Sequence, residues 1–256
     1  MIRRALIALA ILASASAAAA QGAPASGIVF LPRYDFHLGA DHLSDADPRF
    51  VWDTNFGGAL DFVDYGRGRS TFAANYEAIL GDQFRKFDPN QGNYLLDLST
   101  SWRAHGYEFA ALLHHTSRHL SDRFKRIPVD WNMFGVTVAH DMPRRRAQLY
   151  THGNLLGVIL RSNVDYSWEA NGGIDVRVPL RGAVSTIAAG NLRVVGVNGT
   201  GNRGTQHGEH IEGGMRFDGQ GGAIELILMG ERRIDPYPLE MSTMSWFGAG
   251  FRFVSR

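Results

Sequence analysis

Taken two residues at a time, the chain from Gly27 onward keeps apolar side chains on one parity and polar or charged ones on the other. Between Val164 and Val178 one parity reads Val164, Tyr166, Trp168, Ala170, Gly172, Ile174, Val176, Val178, and the other Asp165, Ser167, Glu169, Asn171, Gly173, Asp175, Arg177. Successive side chains of a strand point to opposite faces, so a period of two separates an oily face from a wet one. The pattern returns in almost every strand-like run, and no run is read as apolar on both faces. A closed barrel spanning a membrane requires this, because it faces lipid outside and water or charge inside.

With clusters of Gly, Pro, Asn and Asp taken as turns, strands are predicted at 27–38, 50–65, 69–82, 92–104, 107–118, 130–141, 146–157, 164–178, 183–196, 206–218, 222–234 and 243–254. An even count of twelve returns the chain to its starting side. The connections alternate: Gly66-Arg67-Gly68, Ala104-His105-Gly106, Pro143-Arg144-Arg145, Leu180-Arg181-Gly182 and Gln220-Gly221 are tight, whereas 38–49, 83–91, 119–129, 197–205 and 235–242 are longer. Short turns belong on the periplasmic side and long loops outside. The predicted fold is an all-β, antiparallel up-and-down transmembrane barrel of about twelve strands, in the outer membrane of a Gram-negative-type bacterium. A soluble periplasmic β fold is the structural alternative.

The N-terminus agrees. Arg3 and Arg4, an apolar stretch from Ala5 to Leu12 and small residues through Ala20 read as a secretory signal over 1–20, leaving 21–256 as the barrel domain. The apolar stretch is shorter than the roughly 20 residues of a spanning helix. There is no cysteine to lipidate or bridge. Without Arg3 and Arg4 the basic residues fall from 26 to 24 against 25 acidic ones, so the formal charge moves from +1 to −1. That disfavours a basic nucleic-acid partner. The expected inward set, which includes Asp53, Asp61, Glu77, Asp97, Glu108, Glu169, Arg177, Arg193, Glu212, Arg216 and Glu225, carries both signs. Such charges pair across a narrow lumen and plug it, which argues against a wide porin.

Candidate chemistry lies on the fifth strand. Its outward parity runs Tyr107, Phe109, Ala111, Leu113 and then turns polar as His115, Ser117, His119. The change falls at the extracellular end, level with lipid headgroups. Residues two apart share a face at roughly 7 Å, so His115 could activate Ser117 as a nucleophile. On the next strand the outward parity is Asp130, Asn132, Phe134, Val136, Val138, and Asp130 is the carboxylate chosen to orient the imidazole. Asp122 is a weaker choice, and whether His119 replaces His115 as base is left open. Arg118, Arg123, Lys125 and Arg126 could hold phosphates of lipopolysaccharide or equally be a solvated loop. Metal binding by His115 and His119 is the weaker reading, since they lie roughly 13 Å apart on an extended strand; no cofactor or metal is expected.

The membrane-facing His115-x-Ser117 with an acidic residue on the following strand resembles the lipid A 3-O-deacylases, which implies hydrolysis of an ester-linked acyl chain of lipopolysaccharide. The longer string His115-Thr116-Ser117-Arg118-His119-Leu120-Ser121-Asp122 is similar to an uncharacterised outer-membrane family carrying His-x-Ser-Ser-His-Leu-Gly-Asp, with Arg118 and Ser121 as departures. The last strand, Ser245 to Phe253, resembles the aromatic C-terminal signal that outer-membrane barrels present to the barrel-assembly machinery, followed here by Val254-Ser255-Arg256. Two functions follow as expectations: an acyl-ester hydrolase acting on lipopolysaccharide or phospholipid, or a non-catalytic barrel serving as narrow channel, structural or adhesion scaffold.

Overall fold

The computed structural model describes residues 27–121 and 123–255, so the expected leader and Asp122 lie outside the described residues. Twelve strands follow in order: β1 (Val29–Leu43), β2 (Trp52–Asp64), β3 (Arg69–Gly81), β4 (Asp88–Ala104), β5 (Tyr107–Leu120), β6 (Val129–Arg144), β7 (Ala147–Ser162), β8 (Tyr166–Arg181), β9 (Val184–Val197), β10 (Gln206–Asp218), β11 (Gly222–Ile234) and β12 (Thr243–Ser255). Each pairs with its neighbours in sequence, and β12 returns to β1 with His37 opposite Val254 and Leu43 opposite Gly248, which closes the barrel. Closure matters energetically because lipid offers no hydrogen bonds, and a barrel leaves no edge unpaired.

The connections at one end are 65–68, 105–106, 145–146, 182–183 and 219–221; those at the other are mostly longer, at 44–51, 82–87, 121–128, 163–165, 198–205 and 235–242. His105 and Gly106 both take positive φ, 51° and 81°. That is the two-residue turn whose twist matches a right-handed hairpin. The outer wall exposes Phe56, Phe72, Leu98, Phe109, Phe134, Leu155, Leu228 and Phe247, the last 74% exposed. In water such a surface would be untenable; around this barrel it is the lipid contact. The chain is thus an outer-membrane β-barrel.

The lumen is filled by paired charge. Arg233 on β11 reaches across to Asp53 on β2 at 2.5 Å and Glu77 on β3 at 3.0 Å, and also holds Glu231 at 2.7 Å. Nearer the periplasm Arg252 binds Glu212 at 2.8 Å and Glu225 at 2.7 Å, while Arg69 binds Asp61 at 2.9 Å and Glu108 at 2.8 Å. Each carboxylate is buried or half-buried against a guanidinium, which offsets its desolvation.

The extracellular third departs from the wholly polar lumen expected. Val129, Trp131, Met133, Leu156, Tyr166 and Val195 pack together inside the wall, and Leu43, Phe50, Ile79, Met229 and Trp246 form a second apolar cluster. The inward parity of β6 is therefore apolar at its outer end, opposite Phe134 and Val136 on the lipid face. Tyr166, expected outside, is 3% exposed and points inward, because a bulge between Tyr166 and Trp168 flips the alternation there. Its hydroxyl donates to Asp235 Oδ2 at 2.7 Å. Strand β1 also runs on to Leu43, so the first outer loop is shorter than expected and sends Phe50 into the mouth.

The segment 235–242 turns inward as well. Arg118 donates to the carbonyls of Asp235 and Pro236 at 2.5 and 2.7 Å, Arg203 to the Asp235 carboxylate at 2.7 Å, and Arg49 to Glu240 at 2.6 Å with its guanidinium 4.6 Å from the Tyr237 ring centroid. Among the described residues, loops and apolar clusters together fill the mouth at the long-loop end.

Candidate active site on the lipid-facing rim

The register of β4, β5, β6 and β7 sets out the site. Ser117 lies opposite Tyr94 on β4 and Asp130 on β6, and Asp130 lies opposite Ser162 on β7. One step toward the membrane, His115 lies opposite Leu96 and Asn132, with Leu160 beyond. One step outward, His119 faces Gly92. All of these side chains share the outward parity, as the alternation predicts.

Within this patch Ser117 Oγ and His119 Nε2 are 2.8 Å apart, and His115 Nδ1 is 3.0 Å from Asn132 Oδ1. An amide oxygen can only accept, so Nδ1 of His115 carries the proton and its Nε2 is left with the basic lone pair. The side chain on His115 is therefore Asn132, where sequence reasoning chose Asp130; the Asp130 carboxylate instead accepts from Ser162 Oγ at 3.4 Å. The signal for Asn132 was present in the outward parity of β6. Parity cannot say which of two residues on one face stands opposite the histidine, and the register decides that.

His119 is exposed and turns its ring edge to Tyr94, with centroids 5.5 Å apart. Tyr94 in turn packs on Tyr76 at 4.9 Å, and Tyr76 on Phe56 at 5.3 Å, giving an aromatic row along the rim that ends at the serine. Below the polar patch the same face is apolar: Leu113, Phe134, Leu96 and Leu160 are all exposed. A polar spot above an oily wall fits a lipid lying with its ester groups at the interface.

The basic residues divide. Arg118 points inward to Asp235, Pro236 and, at 3.1 Å, Gln91. Arg123 is taken up by Asp88 at 2.6 Å, Gln83 at 2.9 Å and Asn90 at 3.1 Å. These two hold loops in place and offer nothing to a ligand. Lys125 differs: its ammonium donates to the backbone carbonyl of Arg118, the residue between Ser117 and His119. Partial burial, and then the Arg118 guanidinium, hold it below the ordinary lysine value, an effect that Asp130 partly offsets.

The inward face of β5 carries a second arrangement, with His114 Nδ1 2.5 Å from Asp97 Oδ1 and Nε2 2.8 Å from Thr116 Oγ1. His114 and Thr116 are buried in the lumen, where no lipid reaches them, so this set braces the wall.

No family model and no curated protein matches the chain. Solved structures do share its fold. The outer membrane phospholipase A of Escherichia coli is 10% identical, with 88% of this chain and 97% of that chain covered and a TM-score of 0.56. The Salmonella typhi outer membrane phospholipase, a dimer with bound calcium, is 11% identical over 88% and 91% of the two chains at a TM-score of 0.54. An asparagine-to-alanine active-site mutant of the Escherichia coli enzyme is 10% identical, with 88% and 91% covered and a TM-score of 0.54. At such identities the likeness is one of fold.

The donor set at the site does not fit calcium, which takes roughly six to eight oxygen ligands. Among the described residues no three His, Asp or Glu side chains cluster to hold a metal, and at this rim Asp130 stands near an ammonium that repels a dication.

Proposed function

We propose that the protein is a serine acyl-ester hydrolase acting on membrane lipids at the outer rim of the barrel, with Ser117 as nucleophile, His115 as base and Asn132 as the group that holds the base. The observation that carries this reading is the 3.0 Å contact between His115 Nδ1 and Asn132, two residues from a serine on the lipid-facing wall. Fixing the tautomer at Nδ1 readies Nε2 for a hydroxyl. The resting hydroxyl of Ser117 is on His119, and a change of its rotamer hands it to His115; such flips take picoseconds to nanoseconds.

In the forward step Nε2 of His115 takes the Ser117 proton while Oγ bonds to the ester carbon. As the tetrahedral species collapses, the carbon–alkoxy bond breaks and the departing oxygen takes the proton back from Nε2, leaving an acyl-serine. Water then enters by the same route and releases the fatty acid. Asn132 orients without adding charge, so it stabilises the imidazolium less than a carboxylate does. The phospholipases that share the fold support a lipid ester as substrate, and one of them is described with an active-site asparagine. Glycerophospholipid and lipid A esters both place their carbonyls at this height. The closed mouth and charge-filled lumen weigh against the channel alternative.

A fluorophosphonate probe tests the nucleophile. Detergent-folded protein is expected to form a covalent adduct mapped to Ser117 by peptide mass spectrometry, lost in His115→Ala. An adduct at another residue, or none on folded protein, overturns the assignment.

A further inference from the structure

Acyl transfer from an ester puts negative charge on the carbonyl oxygen, and a hydrolase needs something to receive it. Backbone amides usually serve, yet here they are committed. From His115 to Arg118 strand β5 is paired on both sides, to β4 and β6, and the amides of a sheet lie in its plane rather than pointing out toward lipid. The guanidiniums of Arg118 and Arg123 are turned away, as described above, and Arg161 donates to the Tyr166 carbonyl at 2.5 Å. Among the described residues no three His, Asp or Glu side chains cluster to hold a dication.

We infer, resting on the hydrolase reading, that Lys125 is the electrophilic group of this site, its ammonium receiving the oxyanion of the tetrahedral intermediate. Its position is set by the carbonyl of Arg118, which takes one of three N–H donors and fixes the head of a long side chain at the stretch of backbone between Ser117 and His119. Two donors remain for substrate. The charges of Lys125 and Asp130 both act on His119, and that of Asp130 acts on Lys125, which places the three groups in one neighbourhood. Partial burial strengthens the ammonium's pull on a developing charge, because less water screens it. As Ser117 Oγ bonds to the ester carbon, the carbonyl π pair moves onto oxygen and is met by the Lys125 N–H groups; when that pair returns, the alkoxy group leaves with the proton held by His115. A lysine thus stands where the carrier of charge could otherwise be a metal ion or an amide pair, and the reaction needs no divalent cation.

The experiment uses full-length barrel, checked for folding by heat-modifiable gel mobility, in mixed micelles of a diacyl phosphatidylcholine. Wild type, Ser117→Ala, Lys125→Met and Lys125→Arg are compared, each with and without EDTA. Lys125→Met is expected to lower kcat about 100-fold, the loss typical of one oxyanion donor, with KM nearly unchanged; Lys125→Arg is expected to recover much of it, and EDTA to leave wild type unaffected. If Ser117→Ala abolishes turnover while Lys125→Met keeps its kcat, the lysine assignment is wrong and the hydrolase reading stands. A rise in KM alone makes Lys125 a phosphate anchor and likewise overturns it, as does loss of wild-type activity in EDTA. Turnover unchanged in Ser117→Ala removes the hydrolase reading itself, as does folded wild type that turns over neither phosphatidylcholine nor lipid A presented in the same micelles.

Discussion

Truncating Asn132 to alanine separates the two imidazoles that flank Ser117. The substitution removes the acceptor 3.0 Å from His115 Nδ1 and leaves the His119 contact to Ser117 untouched. A neutral hydrogen bond contributes about 0.5–1.5 kcal/mol net, and 1.36 kcal/mol corresponds to a factor of ten in rate. Orientation alone therefore predicts a fall in kcat/KM of about 2- to 13-fold. Loss of the tautomer preference adds to it, far short of the roughly 10⁴-fold seen when a triad imidazole is locked in the wrong tautomer. Asn132→Asp is expected to retain or exceed wild-type activity, because a carboxylate accepts the same N–H and also stabilises the imidazolium. The assay is hydrolysis of a chromogenic acyl ester in detergent by heat-modifiable protein, with Ser117→Ala as the floor. His115→Ala should reach that floor and His119→Ala should stay above it. If instead Asn132→Ala equals wild type and His119→Ala falls to the floor, His119 is the base and the reasoning is refuted.

Further expectations concern the frame around the site. Arg233→Ala strands Asp53, Glu77 and Glu231 in the lumen; breaking a buried pair from one side costs about 3–5 kcal/mol, to be read as a lowered urea midpoint in micelles, and an unchanged midpoint contradicts the network. Hydrogen bonds from Arg203 hold the Asp165 carboxyl below its ordinary value of 3.8. A depressed carboxylate contributes stability that is complete above the unfolded value and lost as pH falls through the folded one, so the 198–205 loop should lose hydrogen-exchange protection only below roughly pH 4; protection unchanged at pH 2 contradicts it. Planar-bilayer recordings should show no stable large conductance, since Arg118, Arg203 and Arg49 hold the 235–242 segment over a filled lumen; steady open steps contradict the closed mouth.

Alternation carries most of this fold in the open. A period of two survives in strands whose two faces meet different media, so twelve strands and their outward sets are legible without coordinates, as Phe56, Phe72 and Phe134 illustrate. Parity fails where the chain inserts a residue: the bulge before Trp168 turns Tyr166 from lipid to lumen. It also misplaces Phe50, which the predicted strand 50–65 puts on the outward parity of Trp52 and Phe56 but which precedes β2 and is buried in the mouth, and it is silent on loop residues such as Pro236. At the site, the shared face of His115, Ser117, His119, Asp130 and Asn132 is legible, but the ladder register is not. The 121–128 connection is too long for its turn type to dictate pairing, so which of Asp130 and Asn132 meets His115 waits for the structure. Arg118 and Arg123 look like ligands for phosphate in the sequence because a run of cations gives no hint that Asp235 and Asp88 lie within reach.

The most direct measurement compares the extracted lipids of cells producing wild type and Ser117→Ala at equal levels of folded barrel. Mass spectrometry should show free fatty acid and a singly deacylated lipid with wild type and neither with Ser117→Ala, and the parent lipid that loses the chain identifies the substrate as phospholipid or lipid A. Identical lipid profiles from the two strains contradict a serine hydrolase at this rim and leave a closed, non-catalytic barrel.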